Sequence, residues 1–117
     1  MNQNNQENYF SDEEMSSLKK IALEELRELC DALHKAVPAL RDNPADTQLR
    51  KQALHIFHTI GGSAALAGFP DISEVGVSME GQIKKQDEAS ALTGDILQQM
   101  DNACATLDHA IGKAEQG

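Results

Sequence analysis

Apolar residues recur every three or four positions through most of the chain, the spacing that gives an α-helix one apolar face. The first such segment begins with a predicted capping box formed by Ser11 and Glu14. Because Pro38 lacks a backbone donor, we expect this helix to end or kink there. Its apolar stripe consists of Met15, Leu18, Ala22, Leu26, Leu29, Leu33 and Val37.

The second segment shows the same periodicity and is predicted to begin at Asn43-Pro44, with asparagine as N-cap and proline in the first turn. It ends at residues 68–70, where glycine and proline follow the last apolar position. Its stripe consists of Leu49, Ala53, Ile56, Ile60, Ala64 and Ala67, widened by Leu54, Phe57 and Leu66.

Two shorter patterns complete the chain. A second capping box is predicted from Asp71 to Glu74, opening a helix that runs towards Lys85. The last helix begins at either Ser90 or Thr93, since both residues can cap it. No segment shows the strict alternation of a half-buried strand. The pattern therefore predicts an all-α fold, an antiparallel four-helix bundle with up-down-up-down topology.

The length of 117 residues suits one small domain. Residues 1–10 are rich in Asn and Gln and predict a flexible tail, docked at most through Tyr9 and Phe10, so the bundle domain is expected over residues 11–117. With three Phe, one Tyr and no Trp, the core must be mostly aliphatic.

The chain carries 10 Lys and Arg against 19 Asp and Glu, for a net charge of −9. Because this acidity repels a phosphate backbone, we expect a protein partner and no nucleic acid. No apolar run is long enough for a membrane span and the amino terminus does not resemble a signal peptide, so the expectation is a cytoplasmic monomer without membrane association.

Neither the cysteines nor the histidines show a metal-binding pattern. Cys30 and Cys104 lack CxxC spacing and are interpreted as small core residues. His55 and His58 lie one turn apart, but a metal site needs more ligands, and Asp31-x-x-His34 has no partner motif. We expect no metal and no cofactor, and we interpret His34 and His109 as solvent-facing.

Two adjacent glycines interrupt the second helical pattern, each costing about 1 kcal/mol relative to alanine in a helix interior. The residues after them are good helix formers, so we expect the helix to continue. At about 100° per residue, His58 shares a face with Gly61, Gly62 and Ala65. An exposed imidazole among nearly bare positions indicates a surface that a bulky partner approaches closely.

The segment from His58 to Phe69 resembles the signature of histidine phosphotransfer (HPt) domains. That signature has a histidine, an apolar residue two positions later, usually a lysine at the third, a glycine at the fourth, then small residues and another glycine. The chain matches it at His58, Ile60, Gly62 and Gly68, and it departs from it at Gly61, which stands at the lysine position.

The resemblance implies a phosphocarrier rather than an enzyme: a phosphorelay intermediate that accepts a phosphoryl group on His58 from a histidine kinase or from a receiver-domain aspartate and passes it to a receiver aspartate. The partner receiver would bring the magnesium. Some relatives orient the ring with a residue that matches Glu80, and Lys84 matches a position that is basic in others. Lys51, two turns before His58, is a second candidate for charge compensation.

Around His58, we expect the docking surface to consist of Leu54, Gly61, Gly62 and Ala65. The alternative is an HPt-like adaptor that binds a kinase or receiver without carrying phosphate, which the missing lysine at Gly61 favours. A purely structural or metal-binding bundle is a third possibility.

Overall fold

The computed structural model describes residues 11–117, which form four α-helices and no β-strand. Helices α1 and α3 each pack against both α2 and α4, whereas the backbones of the diagonal pairs stay apart. The result is the predicted antiparallel four-helix bundle. The tail predicted for residues 1–10 lies outside the described residues. The helices are α1 (Asp12–Asp42), α2 (Thr47–Ala67), α3 (Pro70–Lys84) and α4 (Gly94–Gln116).

The core is aliphatic, as the composition predicts, and Phe57 is its one fully buried aromatic side chain among the described residues. All four helices contribute to it, so the burial of each apolar stripe depends on its two neighbours. None of the described helices has the length and apolar content needed to cross a bilayer. Fully buried aliphatic side chains include Leu26, Leu33, Leu40, Ile60, Ile83, Met100, Leu107 and Ile111.

The ends of α1 agree only in part with the sequence analysis. The capping box is confirmed: the Glu14 amide donates to Ser11 Oγ at 3.0 Å, and the Ser11 amide donates to Glu14 Oε1 at 2.8 Å. The predicted end near Pro38 is wrong, because the helix continues to Asp42. Pro38 lies on the exposed side, and the burial of Leu40 beyond it holds the last turn against the core.

The start of α2 also differs from the prediction. Asn43 and Pro44 lie in the connection, and the N-cap is Asp46, whose Oδ1 accepts from the Leu49 amide at 3.0 Å. The observed cap lies three positions after the predicted one. Because a carboxylate can cap as well as an asparagine side chain can, local sequence did not decide between them.

Helix α3 begins without the predicted capping box. Pro70 occupies the first turn after Phe69, and no side chain caps the amide groups. Ser73, which lies between the two expected partners of that box, donates its hydroxyl to the backbone oxygen of Gly61 in α2 at 2.8 Å. For α4 the structure selects Thr93, whose Oγ1 accepts from the Ile96 amide at 3.2 Å.

A buried arginine, which the sequence analysis did not single out, organises the connection between α3 and α4. Arg50 in α2 is only 9% exposed and donates to the backbone oxygens of Gln86, Asp87 and Ser90 at 2.8, 3.1 and 3.2 Å. Three charge-assisted hydrogen bonds compensate for the burial of the guanidinium group. They fix the loop that follows α3, and with it the end of that helix.

The two cysteines are buried free thiols, as predicted. Burial, aided by the nearby Asp108 carboxylate, raises the pKa of Cys30 to about 12, and burial raises that of Cys104 to about 11. Both thiols are therefore protonated at neutral pH. Cys30 also has a polar contact, since its Sγ donates to Asp108 Oδ1 at 3.0 Å.

Candidate functional site

His58 projects from the middle of α2 into solvent, with its side chain 67% exposed. Its Nδ1 atom lies 3.1 and 3.0 Å from Oε1 and Oε2 of Glu80, in α3. An ionised carboxylate can only accept hydrogen bonds, so Nδ1 carries the proton and donates it. This tautomer leaves the lone pair of the opposite nitrogen, Nε2, free on the exposed ring.

Glu80 is held in its ionised form by two donors. Lys84 Nζ, one turn further along α3, lies 2.9 Å from Glu80 Oε2, and the His58 ring donates from the other side. The hydrogen bond from Lys84, followed by that from His58, lowers the pKa of Glu80 below its usual range. The carboxyl side chain is only 16% exposed, so it is shielded between α2 and α3 while its two partners remain in solvent.

A close helix crossing brings His58 and Glu80 within hydrogen-bonding distance. A Cβ atom built on Gly76 of α3 would lie 2.6 Å from the Phe57 carbonyl oxygen and 2.7 Å from the Gly61 amide nitrogen of α2. Only glycine allows the two backbones to touch in this way. Because Glu80 follows Gly76 by one turn, the crossing positions its carboxylate beside His58.

Gly61, which the sequence analysis assigned to the exposed docking face, is buried in this crossing. A Cβ atom there would lie 3.0 Å from Val77 Cγ2 and 3.4 Å from the Val77 amide nitrogen. The assignment of Gly61 to the docking surface is therefore wrong, although the helix does continue through both glycines as expected. The role of Gly76 was not predicted from the sequence, although a glycine in the interior of α3 was a signal that could have indicated it.

Gly62 has the opposite environment. It is exposed, and a Cβ atom built on it would have nothing within 4 Å. Ala65, two turns beyond His58, is also exposed. Lys51, two turns before His58, is exposed as well, so Lys51, His58 and Ala65 form a row along the outer side of α2. Along α2, the His58 ring thus has residues with small side chains on its carboxyl-terminal side and a lysine on its amino-terminal side.

Two apolar side chains near this row are exposed, and only one of them was assigned a position from the sequence. Leu66, interpreted from the sequence as part of the buried stripe, is 92% exposed. Val77 of α3 is also exposed and lines a shallow depression with Ala65. Leu66 follows Gly62 by one turn, on the side of α2 that faces away from α3, so the core does not extend around the helix that far.

The two lysines predicted to compensate the phosphate charge lie towards the amino-terminal end of α2 from His58. Lys51 and Lys84 line a groove between α2 and α3 together with Leu54, which is half-buried. Of the two lysines, Lys84 is directly linked to the His58–Glu80 pair through Glu80. Within residues 11–117, no third histidine, cysteine or carboxylate joins His58 and Glu80 in a cluster that would suit a metal ion.

Comparisons with known proteins bear on the family and the fold of the chain. The family model for the Hpt domain matches residues 17–110. Among solved structures, the CheA phosphotransferase domain from Thermotoga maritima is similar, with a TM-score of 0.75 and 23% sequence identity, over 89% of this chain and 97% of that one. The search of curated proteins found no match. At that identity the structural similarity supports the fold, and the family match covers most of the chain.

Proposed function

Because the chain belongs to the Hpt domain family, its general role is histidine phosphotransfer in a phosphorelay, and we propose that His58 is the residue that carries the phosphoryl group. The observation that carries this proposal is the exposed ring whose Nδ1 is hydrogen-bonded to Glu80. The donor is a histidine kinase or the aspartyl phosphate of a receiver domain, and the acceptor is a receiver aspartate.

The chemistry requires little from this chain. The Nε2 lone pair attacks phosphorus, the bond from phosphorus to the aspartyl oxygen breaks, and the aspartate leaves as a carboxylate. The Nδ1 proton stays on the ring, where the Glu80 carboxylate offsets the positive charge that develops. In-line phosphoryl transfer depends mainly on positioning and charge stabilisation, and the docked receiver supplies the remaining groups, including its magnesium. The chain is therefore a phosphocarrier rather than an enzyme.

Charge compensation for the bound phosphoryl group is assigned to Lys84 and Lys51. Lys84 is exposed and already close to the ring through its ion pair with Glu80, so a rotation of its flexible side chain brings the ammonium group towards the phosphoryl oxygens. Lys51 lies two turns away on the same face. Neither occupies position 61, where the closeness of Val77 leaves little room for a side chain.

The receiver would dock on the face of α2 around His58. Gly62 and Ala65 allow close approach, Leu54 contributes apolar area, and the exposed Leu66 and Val77 extend that area beyond the predicted set. A small interface with an apolar centre is typical of transient signalling encounters. The chain has a net charge of −9, which repels the phosphate backbone of a nucleic acid, so a protein partner is favoured.

Incubation with a phosphorylated receiver domain, or with a kinase and ATP, tests the assignment. Wild-type protein is expected to acquire an acid-labile phosphoryl group, and His58→Gln to acquire none. His55→Gln is the matched control, because His55 is the exposed histidine one turn earlier on the same helix. Labelling that persists in His58→Gln but disappears in His55→Gln would overturn the proposal.

The adaptor remains the second candidate, because Gly61 stands at the position where the family usually has lysine. The same variant separates the two functions. If wild-type protein binds its receiver or kinase but never becomes labelled, and His58→Gln still regulates that partner, the adaptor function is correct and the phosphorelay assignment is wrong.

A further inference from the structure

A second cluster of polar side chains lies between α1 and α4, on the opposite edge of the bundle from His58 and Glu80. It consists of Cys30 and His34 from α1 and Asp108 from α4, and its sulfur, nitrogen and oxygen atoms all lie within 4.8 Å of one another. Asp108 joins the other two: Oδ1 is 3.0 Å from Cys30 Sγ, and Oδ2 is 2.8 Å from His34 Nε2.

We propose that Cys30, His34 and Asp108 form a binding site for a divalent transition metal ion of the zinc type, with a fourth coordination position open to solvent. A thiolate, an imidazole and a carboxylate are the three ligand types that Zn²⁺ takes in proteins. The sequence pattern predicted no metal, because Asp31-x-x-His34 has no partner motif. Cys30 and His34, however, lie four residues apart and share one helix face.

The geometry suits tetrahedral coordination after a small adjustment. Metal–ligand bonds of about 2.0–2.3 Å in a tetrahedron place neighbouring ligand atoms roughly 3.3–3.8 Å apart. The two observed contacts of 3.0 and 2.8 Å are shorter than this, so these two pairs of atoms need to move apart by less than about 1 Å, while the third pair, Cys30 Sγ and the ring nitrogen of His34, already lies within 4.8 Å. Rotation of the exposed His34 and half-buried Asp108 side chains provides that movement without disturbing the core.

Access and charge also favour the site. Cys30 is fully buried, whereas His34 and Asp108 have side chains 48% and 40% exposed, so an ion can enter from solvent and retain one water ligand. On binding, the metal replaces the Cys30 thiol proton, which passes to solvent, and the neutral imidazole coordinates through Nε2. The thiolate and the Asp108 carboxylate together bring two negative charges, which balance the charge of the ion.

Arg27 supports the arrangement from the outer side. Its Nη1 atom lies 3.4 Å from Asp108 Oδ1, and its Nη2 atom is anchored 3.0 Å from Glu115 Oε1. With Oδ1 facing Arg27, Asp108 can coordinate through Oδ2, the oxygen that already faces His34. The guanidinium group then acts as an outer partner that orients the carboxylate.

Titration of the full chain with Co²⁺ tests the proposal, because a cobalt–thiolate bond produces a charge-transfer band that imidazole and carboxylate alone do not. Wild-type protein is expected to develop this band and to lose it on addition of Zn²⁺. Cys30→Ala should abolish the band, and His34→Gln and Asp108→Asn should weaken Co²⁺ binding by at least about tenfold, since even outer partners of metal sites contribute that much.

Three matched controls locate the ion. Cys104→Ala removes the other buried thiol, His109→Gln removes another exposed histidine, and His58→Gln removes the proposed phosphoryl acceptor; all three should keep the band and the affinity of wild type. Because His34 is exposed, its variant should retain the helical circular dichroism spectrum even if Cys30→Ala does not. Absence of the band in wild type, or undiminished affinity in His34→Gln, overturns the proposal.

Discussion

The two sides of α2 have different surroundings, although each carries one of two adjacent glycines, Gly61 and Gly62. On the side that faces α3, Gly61 meets Gly76 so closely that the two helix backbones touch. On the side that faces solvent, Gly62 has no neighbour within 4 Å of where its Cβ atom would be. The first glycine lets two helices of this chain come together, and the second leaves space beside an exposed histidine.

This difference shows that the two members of one sequence feature, the Gly61-Gly62 pair, are required for different physical reasons. Both glycines weaken the helix by about the same amount, because each lacks a side chain that restricts the unfolded backbone. At Gly61 the loss is offset by packing, including the hydrogen bond from Ser73 to the Gly61 carbonyl. At Gly62 no packing among residues 11–117 offsets this loss of helix stability, so a partner would use the open space itself.

The crossing between α2 and α3 is expected to give the largest effect. Gly76→Ala places a methyl group 2.6 Å from the Phe57 carbonyl oxygen, so the helices must separate. Overpacking of this kind costs about 1–3 kcal/mol of unfolding free energy, measurable by urea denaturation. The displaced α3 should also carry Glu80 away from His58 and slow phosphotransfer.

Gly81 provides the control for this substitution. It belongs to the same helix but has nothing within 4 Å of where its Cβ atom would be. Gly81→Ala is therefore expected to raise the unfolding free energy by up to about 1 kcal/mol, through helix propensity alone. Equal effects of Gly76→Ala and Gly81→Ala would show that the helices do not meet at Gly76.

The solvent-facing side is probed by Gly62→Leu, which should affect function without affecting the fold. Leucine favours a helix over glycine by close to 1 kcal/mol, so the stability of the bundle should hold or rise. A bulky side chain one turn from His58 should exclude the receiver and reduce the rate of phosphotransfer by at least about tenfold. An unchanged transfer rate in the folded variant would contradict the assignment of this face to docking.

Glu80 connects the two sides of α2, because the helix crossing positions its carboxylate and the exposed His58 ring donates a hydrogen bond to it. Glu80→Ala should slow phosphotransfer by about two- to tenfold, the effect of losing one hydrogen bond worth about 1 kcal/mol. Glu80→Gln should retain part of the rate, because its amide oxygen can still accept from Nδ1. A transfer rate unaffected by Glu80→Ala would show that the carboxylate does not orient the ring.

The stability that Glu80 contributes to the wild-type fold, relative to Glu80→Gln, should also depend on pH. Because hydrogen bonds from Lys84 and His58 lower the Glu80 pKa in the folded state, the ionised carboxylate stabilises the fold above the pKa of the unfolded chain. That contribution is lost as the pH falls through the lowered pKa. Urea denaturation should therefore show wild type more stable than Glu80→Gln at neutral pH, with the difference shrinking as the pH falls below the ordinary pKa range of a glutamate.

Local signals predicted the helices better than their ends. The capping box at Ser11 formed because both of its partners lie within one turn. The box predicted at Asp71 did not form, because the helix begins one residue earlier, at Pro70, so Asp71 lies inside the first turn instead of at the N-cap. Pro38 did not end α1, because burial of the following turn outweighed one missing hydrogen bond. Tertiary packing thus decided the end of α1, whereas Pro70 set the start of α3.

The candidate site, too, was predicted only in part from the sequence. The sequence indicated His58 as an exposed residue, and it suggested Glu80 through its spacing and through the resemblance. It did not predict the crossing at Gly76 that brings them together, nor the grouping of Cys30 and His34 with Asp108. Both depend on which faces of separate helices meet, and no single helix contains that information.

The sequence by itself determined four amphipathic helices, an aliphatic core and an exposed histidine, because periodicity and composition are properties of each segment alone. Only the tertiary structure decided that Gly61 is buried while Gly62 is open, and that a carboxylate from α3 faces the imidazole of α2. The physical reason is that helix packing is set by contacts between backbones and side chains distant in sequence. A difference of one residue in position along α2 separates an internal contact from a free surface.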